Sequence, residues 1–169
     1  HKVICLDKDE IKIDNLSNGR VPIFEPGLDA LVKKNIEAKN LIFSSDLESS
    51  LGKSKVIFIA VGTPTSLDGD NADLSQIYSC AKDIANNLQD GSTIIIKSTI
   101  PVGTCDKVEE IISLKNPNKT FDVVSNPEFL REGSAIIDFE NPDRIVAGTS
   151  NHQSIELIKT IYKRQIENK

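Results

Sequence analysis

The stretch VIFIAVGTPTS, Val56–Ser66, decides the fold. Val56 to Val61 is apolar at every position. That is the pattern of a strand covered on both faces, as in a parallel sheet. Gly62-Thr63-Pro64-Thr65 then stops the strand at once. The same event recurs along the chain. Val3 to Leu6 is closed by Asp7, Thr93 to Ile96 runs into Lys97-Ser98-Thr99, and Phe121 to Val124 runs into Ser125-Asn126-Pro127-Glu128. Leu41-Ile42-Phe43 and Arg144 to Ala147 are predicted as further short strands.

Between these runs the apolar residues recur at helical spacing. Leu28, Leu31, Val32 and Ile36 follow the punctuation Pro26-Gly27. Asp46 to Gly52 reads as a brief helix. Leu74, Ile77, Ala81, Ile84 and Leu88 mark one face of a longer one, with Asp73 as its cap. Val108, Ile111 and Ile112 mark another, and Ile155, Ile158, Ile161 and Tyr162 the last. Ser66 to Asp73 is the longest polar gap and reads as a loop. Strands alternating with helices predict an α/β domain with a mostly parallel, doubly wound sheet and helices on both faces. In such sheets ligands bind outside the carboxyl ends of the strands. Asp7, Gly62 to Thr65, Lys97 to Thr104 and Ser125 onward are then expected on one edge.

Composition bounds the function. The sequence has 169 residues, 38% of them hydrophobic and 27% charged, which fits one globular domain. The net charge is −5 and no dense Lys/Arg patch is visible, which argues against nucleic acid as the partner. No apolar run is long enough to cross a membrane and no signal peptide opens the sequence. Cys5, Cys80 and Cys105 are odd in number and far apart, which argues against a disulfide framework or zinc site and favours the cytoplasm. With two histidines, His1 and His152, neither a metal site nor a Ser-His-Asp triad has material to build on.

Taken singly, the motifs have ordinary explanations. A strand-terminal Asp such as Asp7 is more often a turn or cap residue than a ribose ligand. Thr63 and Thr65 around Pro64, and Ser98, Thr99 and Gly103, are more often turn residues. Cys105 stands at a helix start, where a thiolate is stabilised, but nothing nearby offers a base. Gly52-Lys53-Ser54 is not a P-loop, because Leu47 stands where that motif needs glycine. No G-x-G-x-x-G occurs, so a Rossmann-like reading expects a fold lacking its first βα unit, the first strand, phosphate loop and first helix being lost upstream of His1 in a fragment or a truncated gene product.

Together, four motifs carry a resemblance. PIFEPGLDALV (22–32), FIAVGTPTSLDGDNADL (58–74), KSTIPVGT (97–104) and SNPEFLREGSAIIDFENPDRIVAG (125–148) resemble the UDP-glucose/GDP-mannose dehydrogenase family of nucleotide-sugar dehydrogenases. NPEFLREG followed by NPDRIVAG is most similar to its UDP-glucose branch. The GDP-mannose and UDP-N-acetylmannosamine branches are the alternatives. The rival from another class is a non-catalytic remnant that binds a nucleotide weakly or packs on a partner.

The resemblance implies NAD as cofactor and UDP-glucose as substrate. Its C6 alcohol would be oxidised twice, through a cysteine-bound thioester, to UDP-glucuronate. It implies that Asp7 binds the adenosine ribose with Lys12 near it, and that Val61, Gly62, Thr63, Pro64 and Thr65 form a cofactor loop. Ser98 and Thr99 would approach the cofactor, with Thr99 also helping to position the catalytic water. Glu128, Phe129, Leu130, Arg131 and Glu132 would form the substrate loop, Glu128 as acid/base residue and Glu132 as a cofactor contact. No metal is implied. Residues 1–169 are expected to be a partial NAD-binding domain, with the central helix, the nucleotide-sugar domain and the nucleophilic cysteine outside it. The chain alone is expected to be inactive. The resemblance also allows a homo-oligomer of the full-length protein.

Overall fold

The computed structural model describes residues 1–66, 69 and 71–167. Of the polar gap expected from Ser66 to Asp73, Leu67, Asp68 and Asp70 lie outside the described residues. The elements follow the order β1 (Val3–Leu6), α1 (Glu10–Ser17), α2 (Leu28–Glu37), β2 (Leu41–Ser44), α3 (Leu47–Leu51), β3 (Val56–Ile59) and α4 (Ser75–Asn87). Then come β4 (Ser92–Ile96), α5 (Thr104–Lys115), β5 (Phe121–Ser125), α6 (Ala135–Glu140), α7 (His152–Ile161) and α8 (Lys163–Glu167). The chain divides into two units, residues 1–50 with 129–143, and residues 51–128 with 144–169.

The first unit carries a parallel pair, β1 beside β2, in the register Val3↔Leu41 to Leu6↔Ser44. Helices α1 and α2 both pack on β2. Gly27 supplies the left-handed start of α2 at φ 85°, a conformation that a side chain would strain. Helix α1 is not evident from periodicity. Its apolar residues are too few to mark a stripe, since only Ile13 and Leu16 share a face and Ile11 is exposed. Its start is set locally, by the Asp9 carboxylate accepting from the Lys12 N–H at 3.0 Å.

The second unit is a three-stranded parallel sheet in the order β3-β4-β5. Its centre is β4, where Ile94, Ile95 and Ile96 are fully buried. Ile95 points to the face closed by Val124, Ile158 of α7 and Tyr162. By the pleat, Ile94 and Ile96 point to the other face. Ile77, Ala81 and Ile84 of α4 and Val108 and Ile112 of α5 are also buried, and the two helices pack on each other. Each such isoleucine contributes about 1.5–3 kcal/mol through burial. The α4–β4 and α5–β5 connections are pinned together as well. Asp90 accepts from the N–H and hydroxyl of Thr120 at 2.7 and 2.8 Å, and Asn116 donates to the Ala85 carbonyl at 2.8 Å.

Three expectations are corrected. The strand at Val56 ends at Ile59, not Val61. Lys97 N–H takes the Ile59 carbonyl, and the Val61 carbonyl is taken by the Ser98 side chain instead of a ladder partner. That strand is also covered on one face rather than two, since Ile57 and Ile59 are 8% and 2% exposed but Val56 and Phe58 37% and 42%. Finally, Arg144 to Ala147 is no strand. One antiparallel bridge, Ser125↔Gly148, holds the segment, and the Val146 carbonyl is used by the Asn126 side chain. Asp73 does act at the start of α4, accepting from the Ser75 N–H at 2.8 Å.

Candidate functional site

The carboxyl ends of β3, β4 and β5 bring three of the sequence motifs together. The Ser98 hydroxyl donates to the Val61 carbonyl at 2.6 Å, and the Thr63 hydroxyl donates to the Thr99 carbonyl at 3.2 Å. The loops after β3 and β4 are thus clasped by two side chain–backbone bonds. The loop after β5 joins through its main chain. Asn126 N–H donates to the Ile96 carbonyl at 2.9 Å, and Glu128 N–H to the Lys97 carbonyl at 3.3 Å. A Cβ added at Gly62 would meet no atom within 4 Å, so the backbone there stands open to a close-lying ligand. Pro64, Thr65, Thr99 and Glu128 are exposed, while Val61, Thr63 and Ser98 are half-buried.

A polar cluster that the sequence did not single out lies beneath this edge. Asn126 is 1% exposed. Its amide donates to the Val146 carbonyl at 2.6 Å, and its Oδ1 accepts from the Tyr162 hydroxyl at 2.7 Å. The ammonium of Lys97 sits 3.3 Å from the Tyr162 oxygen and 3.5 Å from Asn126 Oδ1, and lies over the Tyr162 ring at 5.8 Å from its centroid. Burial pushes the Lys97 ammonium below the usual lysine range, and the charge of Glu128 partly restores it. Burial also pushes the Tyr162 phenol up, so it stays neutral as a donor. The one sequence signal for this cluster was a lysine directly after three isoleucines, a position that holds its stem in the core and its charge at the edge.

In the first unit Asp7 follows β1, where the sequence expected it. Its carboxylate accepts from the Lys12 ammonium at 2.5 Å and from the Asp9 N–H at 3.1 Å. The Lys12 hydrogen bond, then the Asp9 N–H, hold the Asp7 carboxyl below the ordinary value of 3.8. Phe129 to Glu132 also belong to this unit and are exposed. The Arg131 guanidinium grips Asp138 of α6 through two bonds, at 3.1 and 2.7 Å, and the Arg131 N–H adds a third at 2.9 Å. The hydrogen bonds from Arg131 bring the Asp138 carboxyl down to about 2. In this arrangement the fork of Arg131 serves the loop itself.

The cysteines lie elsewhere. Cys5 is inside β1, Cys80 inside α4 and Cys105 in the first turn of α5. Burial first, then Asp106, Asp122 and Glu109, push the Cys105 thiol up, which opposes thiolate formation despite the helix start. Among the described residues there is no cluster of three or more His, Cys, Asp or Glu that could hold a metal ion. No described helix is long and apolar enough to cross a membrane.

Parallel strands, flanking helices, hydroxyl-rich loops at the carboxyl edge and a strand-terminal aspartate define a Rossmann-like dinucleotide-binding domain. The chain belongs to the UDP-glucose/GDP-mannose dehydrogenase family, matching its NAD binding domain over residues 1–166. It is 51% identical over 165 residues to the UDP-glucose 6-dehydrogenase of Rhizobium meliloti, which covers 96% of this chain and 38% of that relative. Among solved structures it is similar to a UDP-glucose dehydrogenase from the hyperthermophilic archaeon Pyrobaculum islandicum, with a TM-score of 0.91 and 34% identity, over 96% of this chain and 38% of that one. It is as similar to a GDP-mannose dehydrogenase from Pseudomonas aeruginosa solved as a ternary complex, with a TM-score of 0.91 and 35% identity, over 96% and 39% of the two chains.

Proposed function

We propose that these residues form the cofactor-binding part of a longer, NAD-dependent UDP-glucose 6-dehydrogenase of the cytoplasm. The observation that carries the reading is the clasped edge, where Thr63, Ser98 and Thr99 fix two loops beside the open Gly62 backbone and Glu128 is anchored on Lys97. These residues fit a dinucleotide, which needs close backbone approach and hydroxyl donors at the strand ends. The 51% identity to the Rhizobium meliloti enzyme supports UDP-glucose as the sugar nucleotide.

NAD, when bound, accepts a hydride from the sugar C6 in each of two oxidations. In sum, one primary alcohol, two NAD⁺ and one water give one carboxylate, two NADH and three protons. In this reading the Asp7 carboxylate, held ionised by Lys12, accepts hydrogen bonds from the adenosine ribose. Val61 to Thr65, with Ser98, line the cofactor. Thr99 holds the water, and Glu128 takes its proton as it attacks the thioester carbonyl, the C–S bond breaking to release the cysteine as thiolate. Glu132 approaches the cofactor, and Phe129 to Arg131 border the sugar. The cysteine that captures the aldehyde is none of Cys5, Cys80 or Cys105. The equal likeness to a GDP-mannose dehydrogenase structure supports a second reading with GDP-mannose as substrate.

The full-length protein, supplied in turn with UDP-glucose, GDP-mannose and UDP-N-acetylmannosamine, tests this. The reading expects two NADH per UDP-glucose consumed, with uronate as product, and little turnover of the others. Preferred turnover of another sugar nucleotide, or one NADH per substrate, would overturn it.

A further inference from the structure

Lys97 holds the stretch Asn126-Pro127-Glu128 twice. Its carbonyl accepts the Glu128 N–H at 3.3 Å, and its ammonium reaches Asn126 Oδ1 at 3.5 Å. The second contact is long, so the hold is mainly electrostatic. The ammonium is seated between the Tyr162 oxygen and the Asn126 amide oxygen, and those two groups are themselves joined at 2.7 Å. Tyr162 follows α7 and is buried, so the seat does not move with the exposed loop. A Leu or Met would fill the same space without the cost of desolvating a charge. What the cation adds is a field at the end of β4, felt by the Glu128 carboxylate three residues beyond the end of β5.

We propose that Lys97 is a positioning residue for Glu128, its ammonium seated on Tyr162 and Asn126 and orienting the Glu128 side chain for proton transfer. This rests on the reading of Glu128 as the acid/base residue. The titratable groups that face Lys97 are Glu128 after β5 and Tyr162 after α7. Tyr162 is pushed up by burial and Lys97 down, so rising pH neutralises the lysine ahead of its usual 10.5. The orienting charge is therefore lost at high pH, and an arginine, which stays charged, would retain it.

The experiment is a double-mutant cycle in the full-length enzyme, with turnover, NAD affinity and melting temperature measured for each variant. Lys97→Met should lower kcat about tenfold, well short of the loss of the acid/base group itself. Melting temperature should stay near wild type. Lys97→Arg should recover most of that loss and carry the alkaline decline of kcat to higher pH. In a Glu128→Gln background, Lys97→Met should cost nothing further, because its effect runs through Glu128. If Lys97→Met does not fold, Tyr162→Phe reads the same link, with a loss of about two- to fivefold that also vanishes in the Glu128→Gln background. A loss that persists undiminished when Glu128 is Gln, or an unchanged alkaline limb in Lys97→Arg, overturns the role of Lys97 alone. Wild-type turnover by Glu128→Gln overturns the reading of Glu128 and this role with it.

Discussion

The Ser98 hydroxyl donates to the Val61 carbonyl at 2.6 Å, joining residues 37 apart in the chain. This bond occupies the carbonyl that would otherwise extend the β3–β4 ladder. Ser98→Ala should cost about 0.5–1.5 kcal/mol, the net worth of one such bond. It should also weaken NAD binding about three- to tenfold by loosening the Val61 to Thr65 loop, on the scale of that same bond energy. Calorimetry for NAD and a urea melt check both. Unchanged affinity would mean that the clasp serves the fold alone.

Asp7 is a charge kept ready. Its carboxyl is held down first by the hydrogen bond from Lys12. The stability this pair contributes is fully present above the ordinary 3.8 and is lost as pH falls through the lowered value. Because the pair is largely exposed, that contribution is small, about 0–1 kcal/mol. Asp7→Asn should therefore leave the melting temperature near wild type while weakening NAD binding about tenfold, the scale of one charged hydrogen bond. Equal affinity in the two proteins would remove Asp7 from the cofactor site.

Asn126 is the structural counterpart. It satisfies the Val146 carbonyl and the Tyr162 hydroxyl from a fully buried position. Asn126→Ala should cost about 2–3 kcal/mol, because it removes both bonds of a fully buried side chain, one of them to the buried Tyr162 hydroxyl. Tyr162→Phe should cost about 1 kcal/mol, as the Lys97 ammonium and Asn126 Oδ1, which both contact its hydroxyl, keep each other as partners. Urea unfolding midpoints order the two, and the reverse order would contradict the bonding described here.

Much of this was legible in the sequence, for physical reasons that differ by element. The β4 triplet Ile94 to Ile96 and the α4 stripe were legible because full burial leaves an apolar pattern. Helices α1 and α6 were not, since they are short and neither has a buried residue. The end of β3 was misread because Ala60 and Val61 continue the apolar run, while the side chain that ends the ladder, Ser98, lies 37 residues away from Val61. The strand expected at Arg144 failed for a similar reason, its Val146 carbonyl being claimed by Asn126. Thr63, Thr99 and Glu128 were singled out through the motifs that contain them. Lys97, Asn126 and Tyr162 meet through tertiary structure, and no local spacing announces that meeting.

Glu128 carries the central claim, that the stretch following β5 is a catalytic loop rather than a turn. Its N–H is fixed on the Lys97 carbonyl and the preceding Pro127 stiffens the backbone, so its side chain is presented from a rigid base. The measurement is kcat of Glu128→Gln in the full-length enzyme, with NAD affinity and melting temperature taken alongside. The account predicts a fall in turnover of about a hundredfold or more, the scale of general acid–base catalysis, with the other two little changed. Turnover near wild type, or a fall only in step with lost folding, would contradict it.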